Sequence, residues 1–248
     1  MEFYRDPAFL ANTISSWLKE KILESGKYGG IVGLSGGVDS AVVAALLKRT
    51  CDDQMLAVMM PCHSMEEDHL DALKVAEAFD LPWIRVDLGK AYDALLDSLP
   101  RDVTVGRGIH LSNIKPRLRM TTLYCLGQKK GLLVCGTSNK AELAMGYFTK
   151  HADSGVDVLP LGDLLKGEVN QVAKLLGVPP DIIKKPPSAG LWPGQTDEGE
   201  MGVGYPEIDR YIASGKASPG SLEVIEKAIE RSSHKRAFPP VCLIEKAS

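Results

Sequence analysis

Gly30-Ile31-Val32-Gly33-Leu34-Ser35-Gly36-Gly37-Val38-Asp39-Ser40, followed by the apolar run from Ala41 to Leu47, is the stretch on which the fold turns. Gly30 to Leu34 reads as a short buried strand and Val38 to Arg49 as a helix, so the glycines between them form a loop at a helix N-terminus. Gly36 and Gly37 let the backbone turn tightly and approach a ligand, with several N–H groups aimed at an anion where the helix dipole is positive. Ser35 and Ser40 add hydroxyl donors. A Walker A loop requires Gly-x-x-x-x-Gly-Lys followed by Ser or Thr, and no lysine stands here. Asp39 takes that place, and a carboxylate beside phosphate oxygens calls for a hard cation such as Mg²⁺ between them.

Outward from the loop the chain alternates strand and helix. Met55 to Met60 is a second apolar strand, ending at Pro61-Cys62-His63. Ser64-Met65-Glu66-Glu67 reads as a capping box that opens a helix through Leu73, Val75 and Ala76 to Phe79. Trp83 to Val86, Leu132 to Cys135 and Val158 to Leu161 complete a set of five strands. Upstream, Leu10, Ile14, Trp17, Leu18 and Ile22 have helical spacing within Pro7 to Ser25. This rhythm predicts right-handed βαβ units and an α/β fold: an open, mostly parallel twisted sheet with helices on both faces. Ligands in such sheets bind at the carboxyl ends of the strands, which puts Ser35 to Ser40 and Pro61 to Ser64 on one rim. His63, on that rim, is open to a basic or a merely capping role.

Asp102 to His110, with two glycines, reads as a mobile connection. Asn113 opens a helix reaching about Lys130, and Lys115, Arg117 and Arg119 crowd its start, where the dipole favours anions. Lys166 opens another helix through Val169, Val172, Ala173 and Leu176, stopped by Gly177 and Pro179-Pro180. Lys184 to Glu198 is a proline- and glycine-rich loop of a length uncommon in compact domains unless it is a lid or binding segment, and it reads as a lid. Tyr205 to Ile212 and Ser221 to Arg231 are further helices. No repeat or linker divides the chain, so residues 1–248 are expected to form a single domain.

Composition excludes several classes. With 44% hydrophobic and 25% charged residues the chain is ordinary for a soluble globular protein. No apolar run reaches the ~18 residues a bilayer span needs, and Met1 to Asp6 lacks the form of a signal peptide, so a cytoplasmic protein without membrane partners is expected. The 29 basic residues against 32 acidic give a net charge of −3, which argues against a nucleic-acid partner. The 5 cysteines are scattered without Cys-x-x-Cys, so mostly buried structural thiols are expected rather than disulfides or zinc.

The Ser35 to Ser40 string resembles the pyrophosphate loop of the N-type ATP pyrophosphatases, which cleave ATP between its α and β phosphates. Gly136-Thr137-Ser138-Asn139-Lys140-Ala141-Glu142 and Gly146-Tyr147-Phe148-Thr149-Lys150-His151-Ala152-Asp153-Ser154-Gly155 narrow the resemblance to the ammonia-dependent NAD synthetases, over Gly30 to Pro240. Relatives often carry alanine in place of Pro116 and Asp-His in place of Ser138-Asn139.

The resemblance implies an adenine nucleotide alpha hydrolase-like, Rossmann-like fold and a set of site residues. Asp39 and Glu142 would share Mg²⁺, although Glu142 alone reads as an exposed helix carboxylate. Ser35, Gly36, Gly37, Val38, Asp39, Ser40, Thr137, Lys166 and Ser188 would hold ATP. Asn113, Arg117, Lys150 and Asp153 would hold deamido-NAD, with Asp153, Lys166 and Ser188 acting in catalysis and Asp153 receiving ammonia. The implied reaction adenylates the nicotinate carboxylate of deamido-NAD and displaces AMP with ammonia, in a homodimer. Glutamine-using relatives carry a large added amidase domain, and ammonia rather than glutamine is the expected nitrogen source here. Two other classes remain open on the loop alone: a tRNA-thiolating enzyme, and a nucleotide sensor without turnover.

Overall fold

A computed structural model describes residues 3–106, 108–190, 192 and 194–244. Met1 and Glu2 of the N-terminus, Arg107 of the expected connection, and Leu191 and Pro193 of the expected lid lie outside those residues.

Strands β1 (Gly29–Gly33), β2 (Met55–Met59), β3 (Trp83–Arg85) and β4 (Leu132–Cys135) form one sheet in the order β3-β2-β1-β4. Every pairing is parallel, with Gly30 opposite Met55 on one side and Leu133 on the other. Helix α1 (Pro7–Glu24) precedes β1, α2 (Val38–Cys51) leads to β2, and α3 (Glu66–Ala78) leads to β3. The long crossover to β4 contains α4 (Gly89–Asp97), α5 (Arg101–Thr104), α6 (Ile109–Ser112) and α7 (Ile114–Lys130). Beyond β4 come α8 (Lys140–Met145), α9 (Lys166–Leu176), α10 (Pro180–Lys184), α11 (Asp197–Met201), α12 (Tyr205–Ser214) and α13 (Pro219–Arg231).

Strand order reverses between β1 and β4, and a crevice opens outside their carboxyl ends, where an α/β sheet binds its ligand. Both faces of the sheet are covered. Leu10, Ile14 and Leu18 of α1 and Val42, Leu46 and Leu47 of α2 join α9 in one core, while Leu123 of α7 packs with Ile31 and Val134 on the other face. Valine costs a few tenths of a kcal/mol in a helix. Burying Val42 and Val43 of α2 completely returns about 1.5–3 kcal/mol each, so packing decides. A third core, around Ile208 and Ile225, joins α8, α12 and α13 beside the crevice.

Five sequence expectations need correction. Val158 to Leu161 is not a strand: one parallel bridge links Val158 to Cys135, and the chain then turns. The Asp157 carboxylate takes the Val134 N–H at 2.8 Å, and Pro160 has no N–H to offer. Ser64 does not cap α3, whose N-cap is Met65, because its hydroxyl accepts from Cys62 N and from Arg119. The connection at Asp102 to His110 contains α5 and the start of α6. Of the cysteines only Cys62 and Cys135 are buried, Cys125 and Cys242 are exposed, and all five are free. Pro180, read as a barrier to helix, instead opens α10 at a position where proline is tolerated. No helix among the described residues is long and apolar enough to cross a membrane.

Candidate active site

The loop between β1 and α2 is built from its own side chains. Ser40, buried, donates to the Gly37 carbonyl at 2.9 Å and accepts the Ser35 N–H at 3.2 Å. Ser35 Oγ, 3.1 Å from Ser40 Oγ, also accepts the Gly37 N–H. The two hydroxyls therefore brace the loop from within and engage its Ser35 and Gly37 N–H groups. Gly36 faces the other way, packed under α3.

Asn139 ends the turn after β4 and caps α8, as its Asn-x-x-Glu spacing allows: its Oδ1 accepts the Glu142 N–H at 3.1 Å. Its amide Nδ2 donates to Asp39 Oδ1 at 2.9 Å and to Glu142 Oε1 at 2.8 Å. Two carboxylates from distant parts of the chain thus converge on one small polar group. Lys166, the first residue of α9, donates its buried ammonium to Asp39 Oδ2, and that ammonium lies 5.1 Å from the centre of the Tyr205 ring. Tyr205 in turn donates to Asp197 Oδ2 at 3.0 Å.

Electrostatics follow from this crowding. Burial, and next the charge of Asp39, push the Glu142 carboxyl up to about 8 against the pull of Lys166. Burial alone would lower the Lys166 ammonium, but Asp39, Glu142 and Asp197 outweigh it and hold Lys166 above its ordinary value. A pair of carboxylates this close suits a hard cation, and Glu142 is uncomfortable without one. Among the described residues no three His, Cys, Asp or Glu are arranged to hold a metal ion, so a cation here would complete its shell from phosphate oxygens and water.

A cleft of about 930 Å³ opens above these groups. Ser35, Gly37, Val38, Asp39 and Ser40 line one end, with Thr137, Glu142 and Lys166 beside them. Asn113, Arg117, Lys150 and Asp153 also line the cleft, as does Ser188 from the loop after α10. Of the expected site residues only Gly36 stays off its wall. Asn113 Oδ1 accepts from Thr149 Oγ1 at 2.8 Å, Arg117 donates to the Lys150 carbonyl, and Lys150 Nζ donates to the His234 carbonyl at 2.8 Å. Asp153 Oδ2 accepts the Thr149 N–H at 2.6 Å. The surrounding protein pushes the Asp153 carboxyl up, although its exposure to the cleft lets water oppose that push. Ser188 is exposed, its hydroxyl accepting the Gly190 N–H at 3.1 Å.

The basic trio at the start of α7 divides. Arg117 reaches the cleft, but Lys115 is buried with its ammonium 5.7 Å from the centre of the Tyr92 ring, and burial lowers it. Arg119 ties the end of β2 through the Met60 carbonyl at 3.1 Å and lines the cleft. His63 pairs with Asp93 at 2.8 Å and is not on the cleft wall. Lys185 holds the base of the expected lid to α3 through Asp68 at 2.9 Å and Asp71 at 2.6 Å. The bridging role of Asn139 and the tether of Lys185 go beyond the sequence expectations, although the N-cap spacing marks Asn139. Tyr205 and Asp197 carry no local signal, because only the third core brings them to Glu142.

A profile of the NAD synthase family matches residues 10–239. The chain is 45% identical over 242 residues to the NH(3)-dependent NAD(+) synthetase of Syntrophomonas wolfei, covering 96% of this chain and 97% of that protein. The structure of NMN synthetase from Francisella tularensis matches with a TM-score of 0.91 at 37% identity, over 97% of this chain and 100% of that one. The NH3-dependent NAD synthetase of Campylobacter jejuni, in complex with nitrate, matches with a TM-score of 0.79 at 28% identity, over 96% of this chain and 100% of that one.

Proposed function

The chain belongs to the NAD synthase family, and from that premise we propose that it is a ligase that amidates deamido-NAD with ammonia, giving NAD, AMP and pyrophosphate. The observation that carries this reading is the meeting of Lys166 and Asp39, 127 residues apart in sequence, beside a glycine loop that lacks a Walker lysine.

A nicotinate carboxylate has no leaving group able to depart before ammonia. Its oxygen forms a bond to the α-phosphorus of ATP as the bond from that phosphorus to the bridging oxygen of pyrophosphate breaks. Loop N–H groups from Ser35 to Ser40 and the Lys166 ammonium face the charge gathering on the departing group, which is electrostatic preorganisation. Asp39 and Glu142 are the residues that would hold Mg²⁺, which when bound adds positive charge against the phosphates. Thr137 and Ser188 contact the nucleotide, and Asn113, Arg117 and Lys150 hold the substrate's phosphates and sugar. Ammonia then attacks the acyl carbon and expels AMP, and Asp153 takes the proton that the new amide nitrogen loses. Residues 1–248 act as one domain, in a cytoplasmic homodimer.

Purified protein with ATP, Mg²⁺, ammonium and deamido-NAD should yield NAD, AMP and pyrophosphate in equal amounts by chromatography. ADP with inorganic phosphate would overturn the mechanism, and unconsumed ATP would favour a sensor. A second reading, amidation of nicotinate mononucleotide to NMN, is favoured by the closer superposition on the Francisella NMN synthetase than on the Campylobacter enzyme. The same carboxylate reacts in both. A higher kcat/KM for the mononucleotide than for deamido-NAD would replace the first substrate with the second.

A further inference from the structure

Helix α9 begins at Lys166 with an N-cap, Leu165, whose side chain has no oxygen to offer the exposed N–H groups of the first turn. The missing acceptor comes from elsewhere in the chain. Asp209, in α12, takes the Lys166 N–H on Oδ1 at 3.0 Å and the Gly167 N–H on Oδ2 at 2.8 Å. Asp209 is 1% exposed. The hydroxyl of Tyr4 donates to the same Oδ2 at 3.0 Å. A β-carbon on Gly167 would lie 2.1 Å from the Tyr4 ring, so this approach requires glycine.

Tyr205 and Asp209 stand one turn apart on α12 and therefore share a face. The Tyr205 ring is beneath the Lys166 ammonium and the Asp209 carboxylate is on the Lys166 amide. One helix face thus holds the lysine at both ends, its backbone and its charge.

We infer that Asp209 is a positioning residue: by supplying the absent cap of α9 it fixes where the Lys166 ammonium stands relative to the phosphates. This rests on the proposed role of Lys166 in pyrophosphate departure. Without the carboxylate the first turn loses two acceptors, the helix start frays, and Lys166 swings on a flexible stem. A misplacement of about 1 Å can cost about 10²-fold in rate.

The test compares the full-length protein with Asp209→Asn, and with Ile225→Val as a control in the same core. Labelling of Lys166 by an amine-reactive reagent is followed by mass spectrometry, with exposed Lys227 as internal reference. Steady-state kinetics are measured in parallel. In Asp209→Asn, Lys166 should label at least about tenfold faster, and kcat should fall about tenfold or more with KM for ATP within about threefold. Ile225→Val should stay within about twofold of the parent in both. Parental labelling in Asp209→Asn, or equal changes in both variants, would overturn the inference. If Asp209→Asn does not fold, Tyr4→Phe removes one bond to the same carboxylate and should raise labelling two- to fivefold; no change would be equally decisive. The labelling result stands whether or not the amidation reading survives, so the two can fail separately.

Discussion

A β-carbon placed on Gly36 would lie 2.6 Å from the backbone carbonyl oxygen of Asp68, in α3, and Gly36 itself sits at φ +82°. Any other residue would be strained twice, by its own backbone and by a neighbour that cannot move aside. The loop between β1 and α2 is thus wedged under α3, and its shape depends on a contact within the protein itself.

Gly36→Ala is expected to lower unfolding free energy by about 1–3 kcal/mol, from the lost left-handed conformation and the clash. Nucleotide affinity should fall at least about tenfold, because the N–H groups no longer converge. Urea denaturation and equilibrium titration with ATP measure the two, and parental values in both would show that α3 yields.

Asp39→Asn and Glu142→Gln should each reduce turnover about 10²-fold at fixed Mg²⁺, since each keeps shape and removes charge a hard cation needs. Without metal the two carboxylates oppose each other. A carboxyl raised to about 8 gives stability that is complete below its unfolded value and lost as pH rises through about 8. In EDTA, Glu142→Gln should therefore melt higher than the parent, by a margin that grows between about pH 5 and pH 8 and then levels off. A constant margin would show that neither burial nor Asp39 raises the Glu142 carboxyl.

Ammonium should drive the reaction of the purified protein and glutamine should not. Glutamine use needs an activated nucleophile, usually a thiolate. Of the described cysteines Cys135 lines the cleft, and burial pushes its thiol far up, away from the reactive form. Glutamine-driven amide formation at the ammonium-driven rate would refute this.

Acid should weaken the hold of the N-terminal segment on α9. Burial pushes the Glu168 carboxyl up, but hydrogen bonds from the Arg5 side chain and from the Arg5 and Leu165 N–H groups outweigh it, and the group lies below its ordinary value. The folded state then binds fewer protons than the unfolded, so the stabilisation is present above the ordinary carboxylate range and lost as pH falls through it. Melting temperature should drop between about pH 5 and pH 3, and more steeply in the parent than in Arg5→Met. Equal slopes would remove Glu168 from the account.

Local chemistry made the loop, the helices and the parallel sheet legible. Two glycines before an aspartate, and stripes such as Leu10, Ile14 and Leu18, announce themselves within a few residues, and all three leucine-type side chains are buried. What failed was decided at a distance. Ser64 is an adequate cap by spacing, yet Arg119, 55 residues on, engages its hydroxyl. Val158 to Leu161 has a strand's composition, yet the Asp157 side chain takes a place in the ladder. The network around Lys166 draws Tyr4, Tyr205 and Asp209 from both ends of the chain, and no window of sequence contains them together.

The pairing of β1 with β4 has a kinetic consequence. Asp39 and Asn139 follow these neighbouring strands yet stand 100 residues apart, so the two halves of the site do not meet until the chain has closed a loop of that length. Loop closure carries an entropic cost that contacts repay only afterwards, and parallel pairing at such separation is slow. A growing polypeptide therefore exposes its glycine loop well before it can grip a nucleotide. A nucleotide held at the proposed site would latch the finished protein rather than seed its folding, and a fragment ending before β4 would hold three strands without Asn139, Glu142 or Lys166.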